Sequence, residues 1–371
     1  MACTAGLVAF ACAPSQAQTF HSSAGDLAVE TVAKGLDHPW ALAFLPDGRM
    51  LVAERPGRMR VVARDGGLSP ALARVPKVFA AGQGGLLDVA LDRSFAQNDT
   101  IYFCYAEPVG AGARTALARA RLLDESAPRL DAVEVIFRQD GPLSSGNHFG
   151  CRIVQTSDDA LFLTTGEHFT TRDQAQNLGN HLGKIIRIRP DGSVPPDNPF
   201  VGRADAKPEI WSYGHRNAQG LTLDPASGKL WEHEHGPRGG DEVNLIEKGR
   251  NYGWPVIGFG IDYNGAKIHA STRKEGMEQP LWYWVPSIAP SGMAFYTGDL
   301  FPAWRGNLFV GALAGQLLAR LELDGDKVVK EERLLGELRE RIRDVRQGPD
   351  GALWLLTDNS AGRVLRLVPA R

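Results

Sequence analysis

What is scarce in this sequence narrows it first. Only four cysteines occur in 371 residues, and no two are spaced Cys-x-x-Cys, so a thiolate metal centre is excluded on spacing. Neither sign of charge dominates: 41 Lys and Arg oppose 43 Asp and Glu, a formal net charge of −2. That balance offers no electrostatic footprint for nucleic acid or an anionic membrane surface. No apolar run is long enough to span a bilayer. Long helical periodicity is missing as well; only Glu331 to Arg346 suggests an amphipathic helix, and its spacing is equivocal. A Gly-x-Ser-x-Gly elbow, a His-Glu-x-x-His pair, a dinucleotide fingerprint and a phosphate loop are all absent. Serine-hydrolase and NAD-linked chemistry therefore lack support.

What the chain does have is punctuation. Its 42 Gly and 23 Pro are spread along the whole length, while hydrophobic residues at 43 % are ample for a core. Such spacing predicts many short elements joined by turns. One pattern recurs: a Gly/Asp/Asn turn followed by a short apolar strand. Asp47-Gly-Arg-Met-Leu-Val-Ala-Glu54 and Asp350-Gly-Ala-Leu-Trp-Leu-Leu-Thr-Asp358 are two examples. Anchored on its aliphatic residue, the pattern starts at Leu51, Ile101, Leu161, Leu230, Leu308 and Leu353, with spacings of 50, 60, 69, 78 and 45 residues. Each spacing suits one four-stranded sheet plus insertions. The fold class expected is all-β, a six-bladed β-propeller with four-stranded antiparallel blades. A β-sandwich is the rival, but sandwiches rarely run this long as one domain.

The first 20 residues are apolar, uncharged and rich in small side chains, and Ser15-Gln-Ala17 resembles an export cleavage site. The basic segment that normally opens an export signal is missing. Residues 1–20 are read as an export signal or a disordered N-terminus and 21–371 as one catalytic domain, periplasmic or secreted. Cys3 and Cys12 fall in that leader. Cys104 and Cys151 lie in or beside apolar runs and are expected to be buried free thiols.

Polar residues follow the repeat strands, as in Glu54-Arg55, Glu167-His168, His235-Gly236-Pro237 and Asp358-Asn359. In a propeller, equivalent strand ends share one face, so these would converge on one pocket. Six segments stand out: Gly82-Gln-Gly-Gly-Leu-Leu-Asp88, Ser144 to Arg152, Trp211 to Gly220, His233 to Glu242 with Asn251-Tyr-Gly-Trp-Pro255, Val285 to Ser291, and Arg339 to Asp344. His148 sits in a Gly/Ser/Asn loop, where an imidazole can accept a proton near neutral pH or simply be solvated. Arg216-Asn217 and the Arg341/Arg343 pair offer forked donors for a planar polyanion, or a charged surface. His233-x-His235 would put two imidazoles on one side of a strand, but no third zinc ligand is obvious. Asp241-Glu242 near Gly-Pro carbonyls supplies hard oxygens that suit Ca²⁺ better.

At these segments the chain resembles the soluble aldose sugar dehydrogenases that use pyrroloquinoline quinone (PQQ), relatives of soluble quinoprotein glucose dehydrogenase. Gly-His-Arg-Asn at 214–217, Gly-Pro…Asp-Glu-x-Asn-Leu-Ile at 236–246 and Asn-Tyr-Gly-Trp-Pro at 251–255 carry the resemblance jointly. It extends from about Gly35 to Arg366. The resemblance implies a six-bladed propeller that oxidises aldoses to lactones with PQQ and Ca²⁺. It implies His148 as the base for the anomeric hydroxyl. Gln83, Arg216, Asn217, Tyr263, Ala314, Arg341 and Arg343 are implied at the cofactor. The carbonyls of Gly236 and Pro237 are implied as ligands of the calcium that also holds PQQ. Glu242 and Tyr252 are implied at a second, structural calcium.

Three departures separate the chain from the glucose enzyme: Asn147 and Glu167 replace aspartates near the base, and Ala314 replaces a lysine at the cofactor. Inserted loops expected of that enzyme are short here, notably after Tyr263. A broad aldose preference at an open site follows, with turnover of mono- and disaccharides. The expected partners are a small aldose and an external electron acceptor, with no nucleic acid and no membrane span, the protein acting as a monomer or weak dimer. Two other readings stay open: a non-catalytic binding propeller, and a calcium-dependent lactonase recruiting Glu54 and Asp358.

Overall fold

A computed structural model of the protein describes residues 18–123, 127–141 and 146–370. The proposed leader, with Cys3 and Cys12, falls outside them at 1–17, while Gln18–Phe20 is already a strand. Twenty-four strands form six antiparallel sheets, one per blade. Among the described residues the one α-helix is the four-residue Phe95–Asn98.

Each of the six aliphatic anchors is the first or second residue of the second strand of a blade. Those strands are Met50–Glu54, Thr100–Val109, Leu161–Thr165, Leu230–Glu234, Leu308–Ala312 and Leu353–Thr357. They are buried on both faces because each lies between neighbouring blades, and four of the six are buried at all five positions, even where the residue is Glu54, Glu232, His233 or Glu234. Blades 2 to 5 have four strands. Blade 1 has three, Pro39–Phe44, Met50–Glu54 and Arg58–Val62. Blade 6 has five, because Leu27–Leu36 from the start of the chain pairs with Gly362–Pro369 from its end and Gln18–Phe20 adds an edge. That pairing closes the ring.

The segment from 331 to 346 is not a helix. Lys327–Leu334 and Ile342–Gln347 are strands of blades 5 and 6, joined through a short 3₁₀ turn. The first of these is the outermost strand of its blade, paired on one side only, which is why charged residues are tolerated along it. The free-thiol expectation is also corrected. Cys104 of blade 2 and Cys151 of blade 3 form a disulfide with Cα atoms 5.7 Å apart. They are 47 residues apart in sequence, and only the packing of adjacent blades brings them together.

The six innermost strands run along the central axis: Pro39–Phe44, Leu86–Leu91, Gly150–Gln155, Ala218–Leu223, Pro290–Phe295 and Ile342–Gln347. Each is six residues long, and each slips register against its second strand within its first four residues. Six equivalent bulges bend the strands where they crowd the axis. Their third residues are Ala41, Asp88, Arg152, Gly220, Gly292 and Asp344. Arg152 fills the middle of this ring. Its Nη1 reaches Asp88 at 3.1 Å and Asp344 at 3.0 Å, and its Nε donates to the Gln219 carbonyl at 3.1 Å. Arg346 braces the same two carboxylates at 2.9 and 2.8 Å. Asp344 also accepts from Leu42 N at 3.2 Å, and the Arg152 guanidinium lies 4.4 Å from the Trp40 ring. Blade 5 contributes by absence: a Cβ on Gly292 would sit 2.3 Å from Asp344 Oδ1. All six blades thus meet at one buried ion network.

Removing one partner of a buried network leaves uncompensated charge. Arg152→Met is therefore expected to lower unfolding free energy by about 3–5 kcal/mol, read by denaturant titration.

Candidate functional site

Antiparallel pairing places the starts of the inner strands and the ends of the second strands on the same rim. An axial cavity of about 350 Å³ opens there, within the usual range for a cofactor site. Its floor is built from the second residues of four inner strands, Trp40, Leu87, Gln219 and Arg343. Its walls include Arg55, Gln83, Tyr263, Arg341 and Asp358. A larger groove of about 590 Å³ lies on the outer flank between blades 2 and 3. No buried unpartnered polar atom among the described residues belongs to that groove, whereas Arg343 Nε is one in the axial cavity.

Three guanidiniums, Arg55, Arg341 and Arg343, face the cavity against one carboxylate, Asp358. Arg341 and Arg343 both contact Asp358 Oδ2, at 3.3 and 3.2 Å. Burial pushes the Asp358 carboxyl up, but these two cations outweigh it and hold it below its usual range. The remaining positive charge suits an anionic ligand. Asn217 Oδ1 accepts from Gly150 N at 3.1 Å, which leaves its Nδ2 buried and unpartnered. Arg216 Nη1 donates to the carbonyls of His235 and Gly236 at 3.1 and 2.9 Å, and its Nε is unpartnered. Arg216 faces a neighbouring small cavity rather than the main one. Ala314 is exposed and is not in the cavity wall, where its neighbour Leu313 stands instead.

His148 is buried beside the wall residues Phe149 and Gly150. Its backbone is left-handed at φ 56°, and its N–H donates to Gln83 Oε1 at 2.8 Å. Gln83 thus fixes the loop through its oxygen and keeps its amino group for the cavity. His148 Nδ1 lies 3.2 Å from Glu167 Oε1. A carboxylate only accepts, so Nδ1 carries the hydrogen and Nε2 holds the lone pair. Burial, then the Arg216 charge, depress the His148 pKa below its ordinary value, while Glu167 opposes them. The ring is a neutral, oriented base. Ser144 and Ser145 of the same sequence motif lie outside the described residues.

The Asp241-Glu242 pair divides. Strand alternation sends the two side chains to opposite faces. Asp241 accepts from Gly236 N, Ser287 Oγ, Ile288 N and Ala289 N at 2.7 to 3.0 Å, so it ties the Gly236 loop to blade 5 and has no capacity left for an ion. Glu242 instead lines the small cavity with Glu234, Gly236, Pro237 and Tyr252. Glu232 is close by, and with Glu234 and His215 it forms a cluster of three potential ligands. Burial and the Glu234 charge push both Glu232 and Glu242 well above the usual carboxylate range. No Lys or Arg side chain pairs with these three glutamates among the described residues. Carboxylates gathered so deeply fit a bound hard cation. A Cβ on Gly236 would lie 2.3 and 2.4 Å from the carbonyl oxygens of Gly239 and Gly240, so glycine leaves that cradle open. His233 and His235 do not form a metal pair: His235 donates to the Pro290 carbonyl at 2.6 Å, and burial pushes His233 down to about 3.

Sequence reasoning missed Lys184, which is fully buried and has no carboxylate partner among the described residues. Its ammonium donates to the carbonyls of Gln174 and Ala175, each at 3.1 Å, and to that of Leu182. It ties the 3₁₀ turn Arg172–Gln176, which follows Glu167 in the chain, to Leu182. An uncharged lysine environment in sequence gives no hint of this, because all three acceptors are backbone.

The glucose/sorbosone dehydrogenase family model matches residues 36–366. The chain is 48 % identical over 345 residues to aldose sugar dehydrogenase YliI of Escherichia coli, covering 92 % of each. A crystal structure of a glucose dehydrogenase, 53 % identical, superimposes with a TM-score of 0.90 over 92 % of this chain and 99 % of that one. The PQQ-bound form of aldose sugar dehydrogenase from Streptomyces coelicolor, 31 % identical, gives 0.77 over 92 % and 98 %.

Lys184→Met leaves three carbonyls without their donor. It is expected to cost about 1–3 kcal/mol of stability. Hydrogen exchange should accelerate across 166–182 and stay unchanged in blade 6; uniform acceleration would argue against a local clasp.

Proposed function

Because the chain belongs to the glucose/sorbosone dehydrogenase family, we propose that it oxidises aldoses to lactones with PQQ and Ca²⁺, using His148 as the base. The observation that carries this reading is a neutral imidazole, oriented by a carboxylate, beside a cavity with three guanidiniums and one opposing carboxylate. PQQ supplies, when bound, a quinone that accepts a hydride and three carboxylates that need cationic donors. Arg341, Arg343, Gln83 and Tyr263 stand in the cavity wall to receive it. Arg216 and Asn217 offer unpartnered nitrogen atoms beside it. Ala314 contributes no side-chain donor, so the arginines take the electrostatic load that a lysine would share.

His148 Nε2 takes the proton of the anomeric hydroxyl, and Glu167 stabilises the resulting imidazolium through Nδ1. Glu167, longer by one methylene than an aspartate, is a positioning residue for that ring. Gly236 and Pro237 are assigned to the calcium beside the cofactor. Glu242 and Tyr252, now joined by Glu234, are assigned to a structural calcium. An external electron acceptor completes the turnover. Open access past Tyr263, which is 57 % exposed, favours a broad range of mono- and disaccharides. The Cys104–Cys151 disulfide and the apolar N-terminus support a periplasmic or secreted location.

The lactonase alternative loses its ligands. Glu54 is consumed by Asp37 N at 2.6 Å and by Arg58 and Arg60 at 3.0 Å, and Asp358 by the two arginines. A purely binding propeller has no use for an oriented neutral imidazole.

Dye reduction by the purified protein should require aldose, PQQ and Ca²⁺ together; lactone hydrolysis without cofactor would overturn the reading. His148→Ala is expected to retain PQQ and lose turnover by at least about 100-fold. The depressed His148 pKa keeps the base neutral down through pH 6.5, so the acid limb of kcat/KM should lie below that value. Glu167→Gln removes the partner that raises this pKa and should move the limb further toward acid. In the apoprotein, Ca²⁺ should raise Tm after chelation, and Glu242→Gln should abolish most of that rise.

A further inference from the structure

Phe169 is exposed where aromatic residues are usually buried. It follows Glu167 and His168 in the loop after the second strand of blade 3, and 42 % of its surface is accessible. Its backbone is left-handed at φ 61°, directly after His168 at φ 59°. Two successive non-glycine residues in that region are strained, and such strain concentrates where function requires a side chain in one place. Packing does not offset it here, because the ring is half open to water.

The ring's neighbours give it a direction. Phe169 meets His148 edge-to-face, with centroids 5.2 Å apart and planes at 86°. It also neighbours Tyr263, with centroids 6.2 Å apart and planes tilted by 36°. Tyr263 in turn lines the axial cavity. A continuous aromatic surface therefore runs from the cavity mouth to the base.

We propose that Phe169, with Tyr263, forms the wall on which the C–H face of the substrate pyranose packs, making Phe169 a specificity-determining residue. This rests on the reading of His148 as the base. A pyranose carries hydroxyls around its edge and C–H bonds on its faces. The electron-rich face of an aromatic ring complements those C–H bonds. The wall orients the sugar without contacting particular hydroxyls. It therefore discriminates by ring form, favouring six-membered aldoses with an unbroken C–H face. Because both rings open to solvent, a second sugar attached to the first is tolerated.

The test uses the PQQ- and Ca²⁺-loaded protein in two measurements. Steady-state dye reduction gives KM and kcat for aldoses. Saturation-transfer NMR with methyl β-D-glucopyranoside, which lacks the oxidisable anomeric hydroxyl, reports sugar packing without turnover. Phe169→Ala is expected to raise KM about tenfold, with kcat within about threefold and the pH profile unmoved. It should also lose transfer to the sugar ring protons, and Phe169→Tyr should restore both. Unchanged KM and transfer would overturn the proposal. So would a fall in kcat with a displaced acid limb at constant KM, which would mean that Phe169 orients His148 instead. If wild-type protein oxidises no aldose yet shows Phe169-dependent transfer, the dehydrogenase reading fails and the sugar wall stands.

Discussion

Six sheets arranged in a ring must meet at an axis too narrow for six side chains of ordinary size. The protein meets this constraint with one buried guanidinium. Arg152 bonds to Asp88 and Asp344, Arg346 closes the network, and small residues at Ala41, Gly220 and Gly292 make the room. The charges balance, two cations against two carboxylates, so the burial is tolerable. Because every inner strand reaches this ring, the position of each strand start is fixed relative to the others. The site is built from those starts.

The layer just above the ion network is the floor of the cavity. Trp40 joins the two: one face region stacks near Arg152 at 4.4 Å and Arg343 lies 5.7 Å from the same ring. Arg343 therefore belongs both to the axial packing and to the cavity. Its placement depends on a scaffold element rather than on a loop, which keeps the donors where an anionic cofactor would need them. The loops supply what needs adjusting: Gln83 and Glu167 hold His148 from two sides, and Lys184 secures the turn that follows Glu167.

Electrostatics divides the rim into two compartments. The axial cavity carries an excess of guanidinium, and its depressed histidine is a base at neutral pH. Next to it, Glu232, Glu234 and Glu242 are crowded, with no Lys or Arg side chain paired to them among the described residues. Arg216 stands between them, donating to the Gly236 carbonyl while its main-chain N–H donates to Glu234. A cation in the acidic compartment and an anion in the basic one would each offset the charge that the other neighbour leaves.

The sequence alone determined the number of blades, because a buried second strand after a tight turn is a local pattern and recurs whatever the insertions between copies. It also determined the segments that form the rim, His148 and the arginines among them, since strand ends in this architecture share a face. What it left open depends on contacts between blades. A disulfide across 47 residues, the closing strand from the N-terminus and the five-stranded last blade leave no periodic trace. Asp241 and Glu242 are adjacent in sequence and alike in chemistry, and only the pleat of their strand makes one an anchor and the other a candidate ligand. Lys184 and Phe169 were silent for a related reason: one is satisfied by main-chain carbonyls and the other is placed by backbone conformation, and neither is encoded in residue type or spacing.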